Sequence, residues 1–290
     1  MTRAGIAAVV GKPNSGKSTL LNRIVGQKLS ITSPKPQSTR NRVVGIHTAE
    51  NVQIVVADTP GLLDPRYPLQ EAMRATALHA LCDADVIVHI ADAQDGPPEP
   101  LSATARLDRP PAVPVIVTLN KVDALNAASR EKLGRSMPEA MLISALRGDG
   151  VEELVRAIGA YLPESPFLYP EDDVGTQSVR FFSAELVRET ALEQLDDEVP
   201  YSVACEIEEF REERRPVYIR AVIYVERESQ KRILIGHKGS RIKEIGKAAR
   251  IKIEDLIGFP VYLDLWVKVL GNWRRDKLAL ARFGYSLPGD

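Results

Sequence analysis

Residues 4–25 read AGIAAVVGKPNSGKSTLLNRIV, and a strand, a glycine loop and a helix follow one another within them. Ala4–Val10 is a short apolar run suited to a buried parallel strand, and from Ser18 onward the apolar residues fall at helical spacing. The loop between them satisfies G-x-x-x-x-G-K-[ST] through Gly11, Gly16, Lys17 and Ser18. Backbone N–H groups of such a loop, at a helix N-terminus, surround phosphate groups. Ser15, Gly16, Lys17, Ser18 and Thr19 are therefore expected around the phosphates, with Lys17 reaching the outer ones and the Ser18 hydroxyl on Mg²⁺.

Working outward, NVQIVVADTPG gives a second apolar strand ending at Asp58. A carboxylate there can hold Mg²⁺ through water, and Gly61 lets its backbone N–H approach the γ-phosphate. VPVIVTLNKVD supplies a third buried strand ending in Asn120, Lys121 and Asp123. A carboxylate so placed accepts from both N1–H and the exocyclic amine of guanine, and a site built on those bonds rejects adenine by factors on the order of 10⁴. MLISAL, with Ser144 and Ala145, ends a further strand and supplies a small loop over the base. The expected ligands are GTP and GDP with Mg²⁺.

Order and spacing of these four motifs resemble the small GTPases of the translation-factor class over roughly residues 4–162. The resemblance implies an α/β P-loop GTPase domain, a mostly parallel sheet with helices on both faces. It makes SPKPQSTRNR the first switch, with Thr39 the Mg²⁺ ligand and Ser38 the neighbouring alternative. Position 62 departs from the Ras-like pattern: Leu62 stands where a glutamine would orient the attacking water. Hydrolysis is then expected to be slow, roughly 10⁻² s⁻¹ or below. The catalytic candidates are Lys17, Asn14, Thr39 and Gly61. Asn14 has two open roles, a ligand for a monovalent cation such as K⁺ or a hydrogen bond that stabilises the loop, since similar proteins include potassium-stimulated GTPases.

With 290 residues the chain is long enough for two domains. Its net charge of −1 conceals a field of +7 over residues 227–290, where 14 Lys and Arg face 7 Asp and Glu. Cys82 and Cys205 belong to no disulfide or zinc pattern and are expected as buried, reduced thiols of a cytosolic protein. No run reaches the length of a membrane span. The proline-rich, acidic stretch 163–178 reads as a linker between a first domain at 1–162 and a second at 179–290.

The second domain reads helix, strand, turn through EERRP, strand, two helices around a glycine loop, strand, and a last helix from about Trp273. Its glycine loop is Gly236, His237, Lys238, Gly239, between Ile235 and a helix in which Ile242, Ile245 and Ala249 share a face. That element resembles the RNA clamp of KH domains, which holds about four nucleotides of single-stranded backbone. The order implies a smaller α+β domain of the type II KH form, with Arg241, Lys243 and Lys247 also facing RNA. The acidic run Glu206–Glu213 reads as a solvated strand edge. Trp266, out of phase with its apolar neighbours, is expected beneath the terminal helix or the first domain, a stacked base being the other option.

Nearly the whole chain, through PNSGKS, DTPGL, NKVD, IGHKGSRIKEIG and WRRDKLALARFGY, is similar to the Era family of bacterial GTPases. The family implies binding to the 3′ end of 16S ribosomal RNA and a role in assembly of the small ribosomal subunit. It further implies a monomer in the cytoplasm, with peripheral attachment to the inner face of the cell membrane as a family trait. Two other classes stay open: an RNA-binding module whose GTP is structural, and a GTPase serving another RNA process.

Overall fold

The computed structural model describes residues 1–213 and 215–287. Arg214 of the expected EERRP turn, and residues 288–290 of the expected second domain, lie outside the described residues. The chain divides into two units, one of Met1–Arg66 and Gln70–Thr176, the other of Tyr67–Leu69 and the residues from Gln177 onward.

In the first unit the strands are β1 (Arg3–Val10), β2 (Val43–Ala49), β3 (Val52–Asp58), β4 (Val86–Asp92), β5 (Val115–Asn120) and β6 (Met141–Leu142). They form one sheet in the order β2-β3-β1-β4-β5-β6, parallel except for β2. The helices are α1 (Lys17–Val25), α2 (Pro68–Cys82), α3 (Leu101–Ala105), α4 (Ala127–Ser136) and α5 (Val151–Tyr161). Alternation along β1 sends Ala8 and Val10 into a cluster with Ala77, Ala80 and Leu81 of α2 and Leu101 of α3. The opposite face of the sheet receives α1 and α5, the latter through Val151, Leu154 and Ile158 at helical spacing.

Register decides where chemistry can occur. Val9 pairs with Asp58, Val10 with His89, and Asp92 with Asn120, so β1, β3, β4 and β5 end together at one edge. Chain order reverses on either side of β1, and ligands of such sheets bind beyond the carboxyl ends of the strands at that reversal. The strands β2 and β4, which carry none of the motifs, complete the frame.

The stretch expected as a linker is bonded to the first unit for most of its length. Thr2 Oγ1 donates to Ser165 O at 2.9 Å, and the Gln53 carboxamide accepts from Leu168 and Tyr169 N–H at 2.8 and 3.0 Å. Ile46 N donates to Val174 O at 3.0 Å, and Gly175 bridges to Gly45.

The second unit contains α6 (Val179–Gln194), α7 (Val199–Ser202), β7 (Ala204–Arg211), β8 (Val217–Val225), α8 (Glu228–Ile235), α9 (Ser240–Ile257), β9 (Val261–Val269) and α10 (Lys277–Arg282). The sheet order is β7-β8-β9, antiparallel then parallel. Val217, Ile219, Ala221 and Ile223 alternate along β8 into a core with Val187 and Ala191 of α6 and Ile245, Ala249 and Ile253 of α9. Lys252 Nζ joins α9 to α6 through Glu189 at 2.9 Å and Glu193 at 2.8 Å.

Four expectations are corrected. Where the second domain was expected to pass directly from its first helix to a strand, Val199–Ser202, with a proline in its first turn, forms a further helical turn, and the strand begins at Ala204. Trp273–Arg275 is a tight turn of its own, and the last helix starts at Lys277, capped by Asp276 Oδ1 accepting from Ala279 N at 2.8 Å. Cys82, closing α2, is exposed, and Cys205 is only partly buried. Trp266 is 53% exposed.

Among the described residues no helix is long and apolar enough to cross a membrane. Trp273 is fully buried, donates its indole N–H to Ser202 O at 2.8 Å and meets the edge of Phe283 at 5.2 Å. We predict that Trp273→Ala destabilises the second unit by about 3–5 kcal/mol, read by urea unfolding, while guanine-nucleotide affinity is unchanged.

Candidate functional site

Gly16 closes the first glycine loop with φ +94°, and a β-carbon there would lie 2.1 Å from Asn120 Nδ2. Only glycine fits that turn. The Asn120 carboxamide then fills the space, donating to Ser15 O at 2.9 Å and accepting from Ala145 N at 2.9 Å. One side chain thus fixes the loop of Gly11–Ser18 to the loop of Ser144 and Ala145. Asp123 Oδ1 accepts from Ser144 Oγ at 2.6 Å, which holds its carboxylate beside the loop of Ser144 and Ala145. Lys121 is tied to Asp92 at 2.7 Å and lines the cleft beside the 68% exposed Leu146. The cleft holds about 560 Å³.

At its other end Ser18 Oγ lies 2.7 Å from Thr39 Oγ1, which lies 3.5 Å from Asp58 Oδ2. Ser30 Oγ donates to the same Asp58 oxygen at 2.7 Å. Asp58 Oδ1 and Ser15 Oγ are buried without a hydrogen-bond partner. Burial raises the Asp58 carboxyl pKa, opposed by the Ser30 hydrogen bond and the Lys17 charge. Lys17 Nζ donates to Gly11 O at 3.3 Å and Lys12 O at 2.8 Å, and burial pushes its ammonium down to about 8 against the pull of Asp58. An unspent carboxylate oxygen beside two hydroxyls suits a hard divalent cation with oxygen ligands, and a buried ammonium on neutral carbonyls suits an anion. The residues fit Mg²⁺ and a polyphosphate.

The remaining candidates take varied positions. Gly11 accepts from Leu62 N at 2.9 Å, which holds the residue after Gly61 against the glycine loop. Gly61 and Thr19 line the cleft, whereas Leu62 is buried among Ala8, Val10 and Ala77. Asn14 Nδ2 donates to Pro34 O at 2.9 Å, a bond from the glycine loop to the segment before Thr39. Sequence reasoning missed Ser30, Leu146 and Arg23, whose guanidinium donates to Ala145 O at 3.1 Å and to Leu146 O. Ser30 stands outside any spaced motif; Leu146 closes MLISAL and Arg23 lies within the first quoted stretch, but only Ser144 and Ala145 of the former and the glycine loop of the latter were read as contacts.

In the second unit Gly236, with φ +73° and ψ 178°, breaks α8, and a β-carbon there would lie 2.8 Å from Arg241 Cβ. The tight turn His237–Gly239 leads into α9, leaving His237 and Lys238 exposed at its tip and Ile235 and Gly239 partly covered. A groove of about 470 Å³ runs between α9 and β9, lined by Ile242, Lys243 and Lys247 on one side and Val261, Tyr262 and Leu263 on the other. Arg241 is turned from it, its Nη1 3.3 Å from Gln194 O at the end of α6. The β9 wall and Arg250, which also lines the groove, were not among the expected contacts; the period-two pattern of VYLDLWVKV was their available signal.

A family of 50S ribosome-binding GTPases matches residues 6–121, and the KH domain family matches residues 198–274. The chain is 43% identical to GTPase Era of Carboxydothermus hydrogenoformans, over 98% of both chains. It is 45% identical to GTPase Era of Marinobacter nauticus, over 98% of this chain and 96% of the relative. A crystal structure of an Aquifex aeolicus Era variant bound to GDP and AlF₄⁻ superposes with a TM-score of 0.91 at 42% identity, covering 99% of this chain and 100% of that one. A structure of Era with MgGDPNP and nucleotides 1506–1542 of 16S ribosomal RNA gives 0.92 at 42% identity and the same coverage.

Replacing Asn120 by Ala strands a buried N–H at Ala145 and a buried carbonyl at Ser15, each costing about 1–3 kcal/mol. We expect a lowered melting temperature and a nucleotide affinity weaker by at least tenfold, measured by thermal unfolding and by titration with GDP.

Proposed function

The chain belongs to the Era family of GTPases, and on that premise we propose that it is a GTP-gated clamp for single-stranded RNA at the 3′ end of 16S ribosomal RNA, acting in assembly of the small ribosomal subunit. The observation that carries the reading is the meeting of Ser18, Thr39 and Asp58 oxygens at the phosphate end of the cleft. Thr39 belongs to a polar loop without a core of its own, so ligands that engage its hydroxyl decide whether that loop is ordered.

Ser18, Thr39 and Asp58 would hold Mg²⁺, which would supply charge neutralisation at the phosphates. Lys17 would then donate to phosphate oxygens in place of two neutral carbonyls. Asp123, oriented by Ser144, accepts the guanine N–H groups. Attack of water on the γ-phosphorus breaks its bond to the bridging oxygen and releases GDP and phosphate. The backbone N–H of Gly61 is the group of the chain nearest in role to that step. With Leu62 committed to the core, no side chain at that position orients the water, which supports slow intrinsic hydrolysis. The Asn14 bond to Pro34 favours a loop-stabilising role, and comparing hydrolysis in K⁺ and Na⁺ tests the cation role directly.

In the second unit the exposed ammonium of Lys238 and the turn at Gly236–Gly239 would hold the RNA backbone. Lys243 and Lys247 supply charge along the groove, and Ile242 an apolar floor for bases. The same premise puts the work of the protein in the cytoplasm.

Two outcomes test this reading. Asp123→Asn, whose amide can donate to a 2-carbonyl, should shift nucleotide preference from guanine towards xanthine by at least tenfold, read by competition binding. RNA copying the 16S 3′ end should bind several-fold more tightly with a non-hydrolysable GTP analogue than with GDP at one fixed salt concentration. Equal affinities would favour instead an RNA-binding module with structural nucleotide.

A further inference from the structure

Helix α1 begins at the phosphate end of the cleft with Lys17 and Ser18 and carries Arg23 in its last turn. The step from Lys17 to Arg23 advances about 9 Å along the helix axis. From there the side chain of Arg23 crosses to the loop at the base end. Its Nε donates to Ala145 O at 3.1 Å and its Nη2 to Leu146 O. Both acceptors are backbone carbonyls, so what the guanidinium fixes is the course of the chain.

The other bonds of this loop stop short of Leu146. Asn120 Oδ1 takes the Ala145 N–H and Asp123 Oδ1 the Ser144 hydroxyl. Within the loop Gly148 N donates to Ser144 O at 2.7 Å, and Arg147 N donates to Ser144 Oγ at 3.1 Å. Among the described residues, Arg23 supplies the one hydrogen bond that reaches Leu146. Leu146 depends on it, because a leucine 68% exposed has little packing of its own to hold it. Its side chain lines the cleft together with Lys121. A purine seated there would cover the leucine and gain an apolar contact on its ring face.

We propose that Arg23 is a positioning residue for the nucleotide: by clamping the Ala145 and Leu146 carbonyls to α1, it keeps Leu146 over the bound guanine and so sets how long the nucleotide stays. This rests on the guanine-nucleotide reading of the cleft. Losing a cover of this kind acts on dissociation more than on association. The clamp requires arginine in particular. Its planar fork presents two N–H groups at fixed spacing to two successive carbonyls, whereas a lysine ammonium is a point charge on a flexible stem.

The test follows release of GDP carrying a fluorophore on its ribose from the full chain, chased with excess unlabelled GDP. Arg23→Ala should raise the dissociation rate about tenfold, as expected for two lost hydrogen bonds, with the association rate changed far less. Arg23→Lys should restore only part of the loss. Leu146→Ala, which keeps the carbonyl that Arg23 holds, should speed release by a similar factor. The double variant should release no faster than the faster single one, because Arg23 acts through Leu146. Effects that multiply in the double variant, full rescue by lysine, or a lowered melting temperature of Arg23→Ala with release unchanged would each overturn the proposal. Absence of saturable binding of labelled GDP by the wild-type chain would instead overturn the nucleotide reading on which it stands.

Discussion

The Asn120 carboxamide is the contact on which the nucleotide half of this protein is organised. It stands at the end of β5, where strand pairing has already brought it level with the end of β4, and it reaches across to Ser15 and Ala145. Because both partners are backbone groups, the contact positions two loops without depending on their side chains. The glycine at position 16 follows from it, since the space a β-carbon would need is taken by the amide nitrogen. So does the direction of Asp123, three residues on and bonded to Ser144. The loop of Gly11–Ser18 and the loop of Ser144 and Ala145, far apart in sequence, are thus set at a fixed separation by the same side chain.

The opposite end of the cleft is organised by charge left unspent. Asp58 and Lys17 are both buried, and burial disfavours the ionised form of each. Their mutual attraction offsets part of that cost, but Lys17 hydrogen-bonds carbonyls, and one Asp58 oxygen has no partner. A site in this condition gains most from a ligand that brings both signs at once. A polyphosphate with its metal does so.

Legibility in the sequence followed how the residues act. Gly11, Gly16, Lys17, Ser18, Asp58, Asn120 and Asp123 contribute through backbone shape or one fixed functional group, and such roles impose spacings that can be read. The helix and strand order of the second unit was readable for a similar reason, since its periods of two and of about three and a half survive in the pattern of apolar residues. Ser30 reaches the site through tertiary packing from a segment with no periodicity, and nothing local distinguishes it, whereas Leu146 directly follows the Ser144 and Ala145 loop that was legible. Arg241 was misjudged because a helical wheel assigns a face but not a partner; its guanidinium is near the carbonyl of Gln194. Cys82 was expected inside on composition, yet it closes α2 one position beyond the buried Leu81 and is turned outward.

The connection between the two units gains a mechanical meaning from its hydrogen bonds. Sixteen residues read as a linker in the sequence, but the chain remains stitched to β2 as far as Gly175 and is capped into α6 from Ser178. Only positions 176 and 177 lie between those anchors, a covalent span of roughly 10 Å even when fully extended. The anchor on the first unit is also not neutral ground. Gly45 and Ile46 sit on the strand that the Thr39 loop runs into, so the tether and that loop join one piece of backbone. A load on the tether and an ordering of the Thr39 loop would act on neighbouring residues of the same strand.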